Sequence, residues 1–145
     1  MLRFLLDTNI ISELQRPNPN RGVVDRVAKH HHQSAISAIT WHELNFGCDR
    51  LPPSNRRNQL RSYLAQIAET LTILPYDQAA ASWHAQERSR LASLGLTPAF
   101  ADGQIAAIAA TCQLILVTRN LQDFQNFNNL TLENWFDQLL SFDPI

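Results

Sequence analysis

Short apolar runs alternate with segments of helical periodicity along the chain, and this alternation constrains the fold more than any other feature. Runs of this length are typical of strands, and a continuous apolar run indicates a strand buried on both faces. Strands that alternate with helices form a parallel sheet with right-handed crossovers. We therefore predict an α/β fold, a three-layer sandwich in which helices flank a central parallel sheet of four to five strands. The expected strands are Arg3–Leu6, Ser34–Ile39, Leu71–Leu74, Leu114–Val117 and, at an edge of the sheet, Leu130–Leu132.

The segments between these runs carry the signals of helix ends. Asp77 is a capping residue type, Gly95 can end the helix that follows it, and Pro98 can begin the next one. With 145 residues, of which 45% are hydrophobic, the chain has the length and apolar content of one compact domain, residues 1–145. The expected helices are Ile10–Gln15, Val23–Ala28, Thr40–Leu51, Ser54–Thr70, a segment from Asp77 to Leu94, Ala99–Gln113 and Glu133–Leu140.

The net charge and the cysteines limit which partners and which cellular compartment we expect for this protein. The net charge of −1 gives no basic surface overall, so a nucleic-acid partner would need a local arginine cluster or metal ions. Cys48 and Cys112 do not have the spacing of a metal site, so we predict that both are reduced thiols packed in the core. The apolar N-terminus is too short for a signal peptide, and no apolar stretch reaches membrane-spanning length. We expect a soluble, cytoplasmic protein.

Acidic or carboxamide side chains stand where apolar runs give way to helices or turns. Asp7 follows the first run, while Glu43 and Asp102 lie near the starts of two helices. Asn120 and Asp123 follow the fourth run. The carboxyl ends of parallel strands meet at one edge of a sheet, which is where open α/β sheets place their chemistry. We therefore expect these side chains to converge at that edge.

Each of the three carboxylates also has a purely structural interpretation. Asp7 is of the type that caps a helix or makes a turn. Thr40 and Glu43 have the spacing of a capping box, in which Glu43 would bond back to the backbone. Asp102 suits the positive N-terminus of its own helix. Taken singly, these interpretations compete with a functional one.

Helix periodicity argues that two of the carboxylates face inward. Glu43 shares a helix face with Phe46 and Gly47, and Asp102 lies on the stripe that contains Ile105. A carboxylate turned toward the core needs a partner or a metal. Three carboxylates on one edge would repel one another unless a cation neutralised them, and Mg²⁺ or Mn²⁺ suits an all-oxygen site. Such a site can activate water and stabilise charge at a phosphodiester.

Four motifs support a resemblance when they are taken in order along the chain. The motifs are Leu5-Leu6-Asp7-Thr8-Asn9, Ser37-Ala38-Ile39-Thr40-x-x-Glu43-Leu44-x-x-Gly47, Ala101-Asp102-Gly103-Gln104-Ile105-Ala106-Ala107 and Val117-Thr118-Arg119-Asn120-x-x-Asp123-Phe124. Together they resemble the PIN-domain ribonucleases, specifically the VapC/FitB-like toxins of toxin–antitoxin systems, and the likeness spans nearly the whole chain.

The resemblance implies a Mg²⁺-dependent endoribonuclease, with Mn²⁺ as a possible substitute, that a cognate antitoxin inhibits. It implies an RNA substrate, a homodimer and a toxin–antitoxin hetero-oligomer. By position, Asp7, Glu43 and Asp102 match the family's three metal-binding acids, while Thr8 and Thr118 would orient carboxylates or waters.

The fourth acidic position of the family is not matched directly. Many members carry Asp two residues after the threonine that corresponds to Thr118, whereas this chain has Asn120 there and Asp123 a turn later. Either residue can complete the site, and the sequence leaves the choice open. Arg119, beside the same strand end, is the candidate RNA contact.

Two other functions compete with the toxin hypothesis. A phosphatase with Asp7 as nucleophile would need an Asp-x-Asp motif and a nearby lysine, but the only lysine is Lys29. A catalytically weak or inactive PIN-fold module would only pair with an antitoxin or RNA. We expect the antitoxin to bind apolar faces of the early helices. The alternative interpretation is that these faces belong to the hydrophobic core, and we favour it for most of them. Those faces carry Val23, Val24 and Val27, and Tyr63, Leu64 and Ile67.

Overall fold

The structure is a computed structural model and describes residues 1–137. Within that range it contains five strands and six α-helices. The strands are β1 (Phe4–Leu6), β2 (Ser34–Ser37), β3 (Thr72–Leu74), β4 (Ile115–Val117) and β5 (Thr131–Glu133). The helices are α1 (Thr8–Glu13), α2 (Arg21–His30), α3 (Ala38–Asp49), α4 (Asn55–Thr70), α5 (Gln78–Ser93) and α6 (Phe100–Thr111), with short 3₁₀ turns at His31–Gln33 and Leu121–Asp123.

The strands form one sheet in the order β3-β2-β1-β4-β5, and every pair is parallel. The predicted parallel sheet is confirmed. Because β1 is the central strand, Leu5 pairs with Ala35 on one side and with Leu116 on the other. All carboxyl ends therefore lie at the same edge, and Asp7 comes directly after the middle strand.

Two cores cover the faces of the sheet, as the three-layer prediction requires. Leu6 packs with apolar side chains of α1, α2, α3 and α4, whereas Leu5 packs with those of α5 and α6. Both leucines are fully buried because successive strand side chains point to opposite faces. Among the described residues, no helix has the length and apolar character that crossing a bilayer requires.

Several predicted element boundaries differ from the structure by one or two residues, and one predicted helix is wrong. The second strand ends at Ser37 instead of Ile39, and Ser37 rather than Thr40 caps the next helix, because the Ser37 hydroxyl accepts the Thr40 N–H at 3.0 Å. The capping box at Thr40 is therefore absent. Residues 133–137 do not begin a helix, since Glu133 belongs to β5 and the Asn134 side chain instead accepts the Phe136 N–H at 2.9 Å. Residues 138–140 of that expected helix lie outside the described part of the chain.

The two cysteines differ in their surroundings. Cys48 is buried, as expected, but Cys112 is exposed. The prediction of a packed thiol at Cys112 is wrong because this residue caps the C-terminus of α6, where the chain turns out of the core.

Helices α5 and α6 approach each other closely at Gly103. A Cβ atom at this position would overlap the His84 ring. His84 is buried, and its Nδ1 atom is 2.8 Å from the Tyr76 hydroxyl, which holds the ring in place. Gly103 follows Asp102, so this contact helps to set where the first turn of α6 lies relative to the sheet edge.

Candidate active site at the carboxyl edge of the sheet

Asp7 lies at the centre of the site, at the end of β1. Its side chain is 7% exposed, and Oδ1 accepts the Thr8 N–H at 2.8 Å, which caps α1. The other oxygen, Oδ2, accepts hydrogen bonds from the Thr118 hydroxyl at 2.9 Å and from the Asn9 amide at 3.3 Å. The predicted capping role is therefore real, but it uses one carboxylate oxygen and leaves the other turned toward β4.

Thr118 connects the ends of β1 and β4. It is fully buried, and besides donating to Asp7 its hydroxyl oxygen accepts the Asn120 N–H at 3.0 Å. Asn9 forms a second link, because its Oδ1 atom accepts the Arg119 N–H at 3.1 Å. Sequence reasoning gave Asn9 no role, although it belongs to the Asp-Thr-Asn motif that pointed to the site. The two strand ends are thus fixed to each other by side chains.

Glu43 reaches the site from α3, but not by the predicted route. Its side chain is exposed, as is Phe46, which is 54% exposed, so the inward-facing surface expected here is wrong. The buried stripe of α3 instead contains Thr40, Leu44 and Cys48. Glu43 is nevertheless held at the edge, because its Oε1 atom accepts the Thr8 hydroxyl at 2.8 Å.

Asp102 lies in the first turn of α6 and is half-buried, as its position on the Ile105 stripe predicted. Its pKa is raised to about 6, first by burial and then by the negative charges of Asp7, Asp123 and Glu43. Burial also raises the pKa of Asp7, against the hydrogen bonds of Thr118 and Thr8, and Glu43 and Asp123 add to the rise. Asp7 and Asp102 therefore lie within range of the negative charges of the other carboxylates.

Asn120 and Asp123 differ in their relation to the other carboxylates. Asp123 ends the 3₁₀ turn after β4, is exposed, and lines the same surface cavity as Asp102. The Asn120 backbone N–H is bonded to Thr118, whereas the Asp123 charge acts on both Asp7 and Asp102. Arg119 is exposed at the same edge, and its guanidinium lies 4.6 Å from the centre of the Phe136 ring.

The donor set fits a hard divalent cation, although the expected metal group is not preformed. Among residues 1–137, no three Asp, Glu, His or Cys side chains lie close enough to form a ready metal-binding cluster. The side chains that do converge offer only carboxylate and hydroxyl oxygens, which Mg²⁺ and Mn²⁺ prefer. Burial first, and then the charges of the neighbouring carboxylates, raise the pKa of Asp7 and of Asp102, and a bound cation would offset both effects.

Comparison with known proteins agrees with this geometry. The PIN domain family model matches residues 4–130. Toxin FitB of Neisseria gonorrhoeae is 37% identical over 138 residues, which cover 92% of this chain and 99% of FitB. The tRNA(fMet)-specific endonuclease VapC of Shigella flexneri is 32% identical over 136 residues, which cover 93% of this chain and 99% of that enzyme.

Solved structures show the same fold. FitAcB from Neisseria gonorrhoeae superposes with a TM-score of 0.84 at 37% identity, covering 90% of this chain and 96% of the other. DNA-bound VapBC from Salmonella typhimurium superposes with a TM-score of 0.80 at 30% identity, covering 93% and 99% of the two chains. The family model matches most of this chain, and the relatives above are at least 30% identical to it over most of its length. The chain therefore belongs to the PIN-domain family, among proteins similar to the VapC and FitB toxins.

Proposed function

We propose that this chain is a Mg²⁺-dependent endoribonuclease that acts as the toxin of a toxin–antitoxin pair, with Mn²⁺ as a substitute cofactor. The observation that carries the proposal is the placement of four carboxylates at one sheet edge. Asp7 follows β1, Glu43 is bonded to Thr8, and Asp102 and Asp123 line the same cavity. The name of the Shigella flexneri relative, a tRNA(fMet)-specific endonuclease, supports an RNA substrate. The functional unit is a single PIN-like domain over residues 1–145, acting on RNA in the cytoplasm.

Asp7, Glu43 and Asp102 would hold the metal, and Asp123 would complete the site. When bound, Mg²⁺ would lower the pKa of water and stabilise negative charge on the scissile phosphate. Asp7 can take part while capping α1, since each carboxylate oxygen has two acceptor sites and only part of this capacity is used. Half-burial of Asp102 and full burial of Thr118 limit the water that competes with these contacts.

Two hydroxyl groups would orient the carboxylates. Thr118 donates to Asp7, and Thr8 donates to Glu43. Each hydroxyl has one proton, so donating it fixes which carboxylate oxygen is engaged and leaves the remaining lone pairs for a cation or a water. Arg119, exposed beside Thr118, is available for an RNA phosphate or base.

The antitoxin would occupy the groove between α1, α3 and α4, as part of a hetero-oligomer built on a toxin homodimer. Of the faces considered for this partner, Val23, Val27, Leu64 and Ile67 are largely core, as the alternative interpretation held. Tyr63 is partly exposed and lines the groove. VapBC proteins, which the fold resembles, are named as toxin–antitoxin systems. The groove is lined by Ile11, Gln15, Arg16, Leu44, Arg56, Leu60, Tyr63 and Leu64, among others.

A cleavage assay tests the proposal. Purified protein should cut initiator tRNA with Mg²⁺ or Mn²⁺ present, and EDTA should stop the reaction. Asp102→Asn should remove the activity, whereas Asp25→Asn, in an exposed ion pair with Arg21 on α2, should leave it unchanged. Cleavage by Asp102→Asn at the wild-type rate would refute the assignment. Absence of both cleavage and divalent-cation binding in the wild type would favour the inactive binding module.

A further inference from the structure

Glu87 on α5 is a buried carboxylate that the proposed reaction does not use. It is 8% exposed, and among residues 1–137 it faces the segment 121–129, which we call the Asp123 segment. Helix α5 contributes none of the four site carboxylates, yet Glu87 lies on its buried face, one turn beyond His84. A charged side chain kept in this position needs partners, and the partners it has are informative.

Glu87 and Arg90 form a bracket around the Asp123 segment. Arg90 donates to Glu87 through Nε at 2.8 Å and through Nη2 at 3.0 Å, a bidentate pair. Glu87 Oε1 also accepts the Asn128 N–H at 2.7 Å, and Arg90 Nη2 donates to the Asn126 carbonyl at 2.7 Å. Each residue of the pair therefore bonds to its neighbour and to the backbone of the segment. These bonds hold the pKa of Glu87 below its usual value, so that it stays charged at neutral pH.

The Asp123 segment needs directional contacts because its own structure supplies few. It consists of one 3₁₀ turn and irregular backbone, anchored by the buried rings of Phe124 and Phe127. Apolar burial is not directional, so these rings fix the depth of the segment but only weakly fix its rotation. Charge-assisted hydrogen bonds are short and directional. Those from Glu87 and Arg90 hold the backbone three and five residues after Asp123.

We propose that Glu87 and Arg90 are positioning residues that hold Asp123 at the carboxylate cluster. The inference rests on the proposed function and extends it to residues that touch neither metal nor RNA. Contacts that orient groups at a metal site typically affect its affinity and activity even when they do not touch the ion. A bracket that served stability alone would change the free energy of unfolding without acting through Asp123.

Variants of Glu87 separate positioning from simple stabilisation. Glu87→Ala removes the bracket, while Glu87→Gln keeps an oxygen for the Asn128 N–H and should retain part of the function. Val27→Ala is the matched control, because Val27 is buried in the core on the opposite face of the sheet. Mn²⁺ affinity measured by calorimetry should fall about tenfold in Glu87→Ala, less in Glu87→Gln, and not in Val27→Ala. Amide exchange at Asn128 should accelerate in Glu87→Ala, and less in Glu87→Gln.

A double-mutant cycle with Asp123→Asn gives the decisive result. Glu87→Ala should lower kcat for tRNA cleavage about tenfold in the wild type, with KM nearly unchanged, and should have little further effect once Asp123 is Asn. An equal effect of Glu87→Ala in both backgrounds, or an equal loss of Mn²⁺ affinity in Val27→Ala, overturns the positioning role. A wild-type protein that neither binds Mn²⁺ nor cleaves RNA overturns the proposed function and this inference together.

Discussion

The Asp7 corner and the Asp123 corner of the site are held in different ways. Asp7 follows the central strand, is 7% exposed, and takes hydrogen bonds from Thr8, Asn9 and Thr118. Asp123 is exposed, and no hydrogen bond to its side chain is found within residues 1–137. The position of Asp7 is therefore fixed by the sheet itself. The position of Asp123 depends on a segment that residues distant in sequence must hold.

The largest expected effect separates the two corners directly. Asp7→Asn should lower RNA cleavage by on the order of 10³, since it removes the buried charge at the centre of the site. Asp123→Asn should lower RNA cleavage by only about tenfold, because the exposed Asp123 side chain acts on the site through the other carboxylates. Rates under saturating Mn²⁺ measure both. Equal losses would show that the two corners matter alike.

Without a metal ion, Asp7→Asn should be at least as stable as the wild type, although its cleavage activity falls. Burial and neighbouring charges raise the pKa of Asp7, so its ionised form is unfavourable in the fold at neutral pH. Asn keeps the oxygen that caps α1 and removes the charge. In EDTA, thermal unfolding of Asp7→Asn should therefore occur at or above the wild-type temperature, and a clear decrease would contradict this account.

Thr118→Val tests how much of the Asp7 corner depends on one hydroxyl. The substitution keeps the buried shape but leaves the Asp7 oxygen without its donor, which should cost about 1–3 kcal/mol of stability and reduce cleavage about 10- to 100-fold. Urea unfolding and the tRNA assay give the two values. Thr70→Val is the matched control, because the Thr70 hydroxyl donates to the Gln66 carbonyl of its own helix on the surface.

Gly103→Ala tests the contact that places the Asp102 helix. The added methyl group would overlap the His84 ring, so we expect a loss of about 1–3 kcal/mol in the free energy of unfolding. Gly47→Ala is the control, since a Cβ there would meet nothing within 4 Å and should instead stabilise α3 by about 0.5–1 kcal/mol. Both values come from urea unfolding. Equal effects of the two substitutions would remove the role given to His84.

The smallest expected effect concerns the bracket that holds the Asp123 segment. The pKa of Glu87 is lowered from 4.5, chiefly by the Arg90 hydrogen bonds, so its contribution to stability is complete above pH 4.5 and is lost as the pH falls through the lowered value. The stability difference between wild type and Glu87→Gln, measured by urea unfolding, should therefore narrow on acidification below pH 4.5. A difference that widens in acid would contradict the ionised pair.

The features that sequence predicted are those that depend on local pattern. The apolar runs located all five strands, and strand ends located Asp7 and Thr118. Ser37 and Thr40 are both capping residue types, and only the pairing of Ser37 with Leu74 at the end of β2 settles which one caps α3. That difference of three residues explains the mistaken capping box.

The features that sequence missed depend on contacts between distant residues. Glu87 and Arg90 have the spacing of an ordinary surface pair on a helix, and their role emerges only from the contact with Asn128, 41 residues away. Asn9 likewise acquires its role by bonding to Arg119, 110 residues away. Neither partner leaves a periodic or local signal in the chain.

Calorimetric titration with Mn²⁺ tests the central claim most directly, because the claim is that these carboxylates form a divalent-cation site. The wild type should bind Mn²⁺, and Asp7→Asn should bind it at least about tenfold more weakly while remaining folded. Equal affinity of the two proteins, or no binding by the wild type, would contradict the account.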